Sequence, residues 1–279
     1  MQGVKVNLDS LVLPYFRELA TKSIKVRDFT NSQDFKELKE TNWNPWHGCV
    51  RVSEGCRNCF VYTIDSITQK DTRKLYQTRS FNLPIVKNRQ GNYKIPSGTR
   101  IWTCFSSDFL LESADIWRAE AWEMIAQRRD CTFVFFTKRI TRFLECVPKD
   151  WGEGYPNVIV GCSIENQTQA NKRLGAFLEL PIHTRWIICA PLLGQIDLTP
   201  FLDSRKIARI SVGGESGLKA RACDFAWVES LQFQAKLAGI AFDFHQTGAN
   251  FIKDSKRYKI PKKIQRSQAK KAGLDWNPI

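Results

Sequence analysis

The sequence predicts an α/β fold, a TIM-like (βα) barrel, complete or partial. Three observations carry this. From residue 100 onward, short apolar runs rich in β-branched and aromatic residues alternate with stretches of helical period, and strands buried on both faces between helices belong to parallel βα units. Polar, chemistry-capable residues recur directly after these runs, at the end of the strands where barrels carry their sites. A doubly wound open sheet is the alternative, but no run is followed by a Gly-x-Gly-x-x-Gly turn.

In chain order, residues 1–40 are polar and of mixed charge and read as an N-terminal extension. Residues 41–250 read as the barrel. Its first unit bears a cysteine loop that runs into a helix over 58–70. The Pro- and Gly-rich stretch FNLPIVKNRQGNYKIPSG lacks periodicity and reads as a loop or short hairpin. Buried strands follow at RIWTCF (100–105), CTFVFFT (131–137), NVIVGCS (157–163), TRWIICA (184–190), ARISVGG (208–214) and IAFDFH (240–245). Helical patterns over 113–128, 139–146, 166–179 and 224–238 lie between them. Residues 251–279 form a basic C-terminal segment, in which nine Lys or Arg over 253–271 face a single acid, Asp254.

Composition narrows the class. With 279 residues, 43% of them hydrophobic, the chain can bury a large core. Nine cysteines spread over this length suit a reduced compartment rather than a disulfide framework. No apolar run reaches the length of a signal peptide or a membrane span, so a cytoplasmic protein without a membrane partner is expected. The net charge of +14 favours a polyanionic partner, nucleic acid or nucleotide first.

The densest chemistry is in WHGCVRVSEGCRNCF, where Cys49, Cys56 and Cys59 are spaced C-x6-C-x2-C. His47 is the only nearby candidate for a fourth ligand. Structural zinc sites complete four protein ligands, whereas three thiolates with one open position suit a [4Fe-4S] cluster whose fourth iron takes an outside ligand. S-adenosylmethionine (SAM), chelating that iron through its amino-acid end, is the expected cosubstrate. Zinc, with or without His47, and buried thiols without metal are the alternatives.

Residues after the strand runs are the candidates for a shared pocket. For cofactor binding these are Ser107 and Asp108, Ser163, Glu165 and Asn166, and Gly213, Gly214 and Glu215, with Phe60 beside the third cysteine. Lys138, Arg139, His245 and Gln246 are the candidates for substrate binding or catalysis. Two glycines before Glu215 let backbone approach a ligand closely, and Lys138 and Arg139 neutralise a carboxylate or phosphate. Helix caps explain Ser107, Asp108 and Ser163 equally well.

WNPWHGCVRVSEGCRNCF resembles the signature of an uncharacterised phage and bacterial family, the three-Cys-motif family, regarded as radical-SAM-like. The likeness continues through Ser107–Asp108, FFTKRI (135–140), VGCSIENQ (160–167), APLLG (190–194) and VGGESG (212–217), and so covers roughly residues 40–250. It implies a radical-SAM-type barrel, an external electron donor and a methyltransferase-like partner protein. The chain departs from the family pattern at Phe60 (usually Tyr), Ala190 (usually an acid) and His245 (usually Lys). The alternative function is a non-catalytic nucleic-acid-binding protein with a structural zinc or cluster site.

Overall fold

The structure, a computed structural model, describes residues 39–203 and 205–278. The N-terminal extension, apart from residues 39 and 40, lies outside the described residues. At the centre are seven strands: β1 (Glu40–Trp43), β2 (Arg100–Thr103), β3 (Thr132–Thr137), β4 (Val158–Ser163), β5 (Thr184–Cys189), β6 (Arg209–Gly213) and β7 (Ala241–Gln246). They lie side by side in chain order, and every pairing is parallel. A doubly wound sheet would reverse its order at a switch point; this one does not. The sheet curls into a half-barrel with β1 and β7 as its edges.

Alternation along each strand explains the two faces. Ile101, Phe133, Phe135, Val160, Ile187, Val212 and Phe244 face the main core. That core is closed by α2 (Asp115–Gln127), α4 (Gln167–Glu179) and α5 (Phe225–Leu237). Their inward residues recur at helical spacing, as in Ala170, Leu174 and Phe177 or Val228, Leu231 and Ala235. Side-chain caps start two of these helices: Asn166 accepts from Gln169 N at 3.1 Å, and Asp224 from Ala226 N at 2.9 Å. Each cap contributes about 1 kcal/mol. The opposite face holds a second, smaller cluster of Val134, Trp186 and Ile188 with the half-buried Trp102 and Phe136. Trp102 lies 6.2 Å from Trp186 and 6.0 Å from Phe136.

All six strand runs read from the sequence are sheet strands. β1 is a seventh, which the sequence reading leaves in the lead-in and cysteine unit. Its residues ETNW carry no apolar run, because an edge strand with one exposed face needs none. The first two helices are α1 (Phe60–Ile67) and α2, and α3 (Phe143–Cys146) is a single turn after β3.

The C-terminal segment is folded. Asn250–Lys253 pairs antiparallel with Lys256–Lys259 and parallel with Cys223–Asp224. The turn residues Asp254 and Ser255 have φ of 50° and 59°, the left-handed pair that a two-residue type I′ hairpin requires. Helix α6 (Gln265–Lys271) follows. Trp276 then exchanges backbone hydrogen bonds of 2.8 and 2.9 Å with Phe242, covering the outer edge of β7. No helix among the described residues is long and apolar enough to cross a membrane.

Candidate functional site

The cysteine loop, residues 48–59, lies across the C-terminal end of the half-barrel. Gly48 opens it at φ 107°, where a Cβ would sit 2.9 Å from the carbonyls of Thr72 and Lys74, so only glycine fits. Gly48 N donates to Ser106 O at 3.2 Å and Cys49 N to Thr72 O at 2.8 Å. Ser107 donates its hydroxyl to Gly48 O. Cys59 stands at the N-cap position of α1, where the N–H groups of Val61 and Tyr62 reach its sulfur. Tyr62 donates to Cys49 O at 2.6 Å, and the Arg51 guanidinium sits 4.0 Å over the Tyr62 ring.

Three arginine–carboxylate pairs hold this loop, from the segments after β2, β4 and β6. Asp108 pairs with Arg139 at 3.0 Å; Arg139 then donates to Val50 O at 2.5 Å and lies 3.9 Å from Cys49 Sγ. Glu165, with no exposed side-chain surface, pairs with Arg173 at 2.9 Å and accepts from Gly55 N at 3.0 Å. Glu215 pairs with Arg221 at 2.6 Å and accepts from Asn58 Nδ2 at 2.9 Å, while Arg221 also reaches Glu54 at 3.1 Å. Burial alone pushes the Glu165 carboxyl up. The Ser53 hydroxyl, the Arg173 charge and the Gly55 N–H overcome it and hold the group below the ordinary 4.5. The Ser53 hydroxyl lies beside Glu165 outside strict hydrogen-bond geometry and has no other partner among the described residues. Glu215 is likewise held low: burial opposes, and Arg221 and Asn58 prevail.

The three loop thiols differ from the other six. Cys49, Cys56 and Cys59 are half-buried; Cys104, Cys131, Cys146, Cys162, Cys189 and Cys223 are buried, and all nine are free. Burial pushes the Cys49 thiol up to about 11; Arg139 opposes this, while Asp108, Cys56 and Cys59 add to it. Among the described residues, no group of three or more His, Cys, Asp or Glu is gathered closely enough to hold one ion. His47 has its Nε2 engaged, 2.9 Å from both oxygens of the buried Asp65.

The remaining sequence candidates are placed as follows. Asp108 also accepts from Thr137 at 2.8 Å and Leu110 N at 3.0 Å. Asn166 caps α4. Ser163 is buried, and its carbonyl accepts from Arg173 at 2.7 Å. Phe60 is exposed beside the loop. Lys138 is half-buried, its charge acts on Cys59 and Glu165, and it has no ion-pair partner among the described residues. The space that Gly213 leaves is filled by the His245 ring, and that of Gly214 by the Thr247 backbone. Close approach of β7 to β6 thus uses both glycines. Gln246 donates to Gly214 O at 2.7 Å.

His245 sits at an irregularity in the β6–β7 register, with its Nδ1 3.1 Å from the Ser211 hydroxyl. Ser211 donates to Asp243 at 2.8 Å, Asp243 pairs with Arg209 at 3.4 Å, and Arg209 lies 5.5 Å over the Trp186 ring. Burial lowers the His245 pKa and Asp243 opposes that. The sequence reading misses Arg209, Ser211 and Asp243 because they alternate with the apolar residues of strand interiors; that period-2 position was their only signal. Arg173, Arg221 and Asn58 are missed as well, since nothing local marks them as loop anchors.

Fold and site define an α/β half-barrel protein with a half-buried three-thiol loop clamped at the strand C-termini. Over residues 36–277 the chain matches the family described as "Protein of unknown function (DUF5131)", and it belongs to that family. No curated protein and no solved structure matches it.

Proposed function

We propose that this is an iron–sulfur enzyme of the radical-SAM type that acts on a nucleic acid or nucleotide, with Cys49, Cys56 and Cys59 as cluster ligands. One observation supports it most: three half-buried free thiols lie on one short loop across the C-terminal end of the half-barrel, while the other six cysteines are buried. A structural zinc site completes four protein ligands, and His47 is already engaged by Asp65. Three thiolates instead suit a cluster with one iron open. The donor set fits such a cluster, and the Val61 and Tyr62 N–H groups at Cys59 are the kind of hydrogen bonds that tune one.

Cys49, Cys56 and Cys59 would hold the cluster, which, reduced by an external donor, would supply one-electron reductive chemistry toward SAM. The chain's own part is positioning. Arg139 screens the charge at Cys49, and the Glu165 and Glu215 pairs fix the loop backbone. Lys138 offers a cation for the carboxylate of an amino-acid group or for a phosphate. Exposed Val50, Val52 and Phe60 give the loop an apolar outer surface that limits water once a ligand covers it.

Anaerobic reconstitution with iron and sulfide tests the reading. Stoichiometric iron and sulfide with brown visible absorbance, followed by release of 5′-deoxyadenosine from SAM after reduction, is the expected outcome. A colourless protein that takes up zinc instead would favour the non-catalytic nucleic-acid-binding reading.

A further inference from the structure

Among the described residues, the C-terminal hairpin and the turn after it carry six exposed cations without an ion pair. Arg139, Arg173, Arg209 and Arg221 in the barrel each face a carboxylate. Among the described residues, Lys253, Lys256, Arg257, Lys259, Lys262 and Lys263 do not, although all six are exposed. Lys253 stands directly opposite Lys256 in the hairpin register, and like charges in that position destabilise a strand pair. Lysine on an edge strand discourages further pairing. Here the edge strand Lys256–Lys259 is three cations and an exposed tyrosine, Tyr258. That excess is what a polyanion would neutralise.

The hairpin is also tied to the cysteine loop. Asn250 Nδ2 donates to Ala220 O at 3.1 Å and Ala249 N to Glu215 O at 2.8 Å, while Asn58 of the loop donates to Lys219 O at 2.9 Å. Between the loop and the segment after β6, to which the hairpin is hydrogen-bonded, lies a cleft of about 420 Å³ lined by Arg57, Asn58, Lys219 and Arg221. Arg221 is neutralised by Glu215 and Glu54, but Arg57 and Lys219 have no carboxylate partner among the described residues. Two further unpaired cations thus stand beside Cys56 and Cys59, on the loop and on the segment to which the hairpin is hydrogen-bonded. At the loop end, Phe60 is exposed.

We propose that the hairpin and this cleft form the track of a single-stranded nucleic acid, gripped by its phosphates and led to the cysteine loop. The proposal rests on the functional reading above for what happens at the loop, and it names the substrate's form and path. A single strand fits better than a duplex. Exposed Tyr258 on the hairpin and exposed Phe60 after the cysteine loop offer stacking faces, and a base must leave the duplex stack to reach a site at a barrel mouth.

Fluorescence anisotropy with labelled RNA, the same sequence as single-stranded DNA, and the matching duplex tests this across a salt series. Tighter binding of single strands than duplex is expected, with affinity falling steeply as salt rises; the stronger of the two single strands identifies the natural source. Replacing Lys256, Arg257 and Lys259 together by Gln should flatten the log–log salt slope by about 2, at roughly 0.7 per phosphate contact. Replacing exposed Lys172 and Lys236 on α4 and α5 by Gln should leave it unchanged. Tyr258→Ala should weaken binding without altering the slope. Equal or tighter binding of duplex, an unchanged slope in the triple variant with a wild-type melting temperature, or no binding at low salt would overturn the track. Iron uptake and substrate-free SAM cleavage do not depend on the hairpin. Their loss in the wild type would sink the enzyme reading while leaving the track standing.

Discussion

Replacing Glu165 separates a ligand-binding carboxylate from a positioning one. Its side chain has no exposed surface, its partner Arg173 is only 5% exposed, and the two meet at 2.9 Å. Glu165→Ala leaves a buried guanidinium without its counter-charge, which costs about 3–5 kcal/mol. The loss of the acceptor for Gly55 N belongs to the same network and does not simply add. For a folded body of this size the cost corresponds to a fall in melting temperature of roughly 6–20 °C. The loop loses an anchor one residue from Cys56, so its three thiols should react faster with a disulfide reagent than in the wild type. Glu165→Gln keeps an acceptor for Gly55 N and should fall between the two.

The pH dependence follows from the same site. The folded carboxyl lies below its ordinary value of 4.5, so unfolding takes up protons in acid. The stability it contributes is fully present above the unfolded value and fades as pH drops through the depressed folded one. Glu165→Gln should therefore remove part of the acid destabilisation between about pH 5 and the depressed value. Thermal melts of the metal-free protein at pH 7 and pH 4, with timed thiol titration, measure all of this. A Glu165→Ala protein within about 1 kcal/mol of wild type, with unchanged thiol reactivity, would refute the positioning role and return Glu165 to the candidates for ligand binding.

Alanine at Cys49, Cys56 or Cys59 should abolish iron uptake, whereas alanine at Cys131, Cys146 or Cys223, buried thiols, should lower stability and spare iron; full occupancy in Cys56→Ala would defeat the assignment. Reduced, reconstituted protein should release 5′-deoxyadenosine and methionine from SAM even without substrate, read by chromatography, and none at all would count against the radical reading. Gly214→Ala should destabilise more than Gly213→Ala, because its new Cβ meets the Thr247 backbone while that of Gly213 meets the movable His245 ring. Adding His245→Ala should restore Gly213→Ala but not Gly214→Ala in a melt, and the reverse order would contradict the packing.

The strands of the half-barrel are legible because parallel strands are covered on both faces, so their apolar runs are nearly unbroken. β1 is not, since ETNW at an edge has no such run. The cysteine loop is legible from spacing alone. Its anchoring is not: Arg139, Arg173 and Arg221 stand 31, 8 and 6 residues from the carboxylates they pair with, and no periodicity of strand or helix marks those pairings. Gly213–Gly214–Glu215 shows the same limit. A sequence reading sees backbone room for a ligand, but that room is filled by His245 and Thr247, and neither neighbour is visible without the β6–β7 register.

The three buried pairs call for their own explanation, because stability does not supply one. A buried ion pair is often no better than well-packed apolar residues of the same volume, and this core has apolar residues in plenty. What apolar residues cannot supply is acceptors and donors for a loop backbone. Asp108 with Arg139 holds Val50 O, Glu165 holds Gly55 N, and Glu215 with Arg221 holds Asn58 and Glu54. These anchors fall after β2, β4 and β6, in segments at the C-terminal end of the sheet. A loop crossing that end is fixed at three separated points, with Cys49, Cys56 and Cys59 each within one residue of an anchored one. The ion pairs therefore set the positions of the thiols, and removing any one pair should disturb the cysteines nearest to it before it disturbs the sheet.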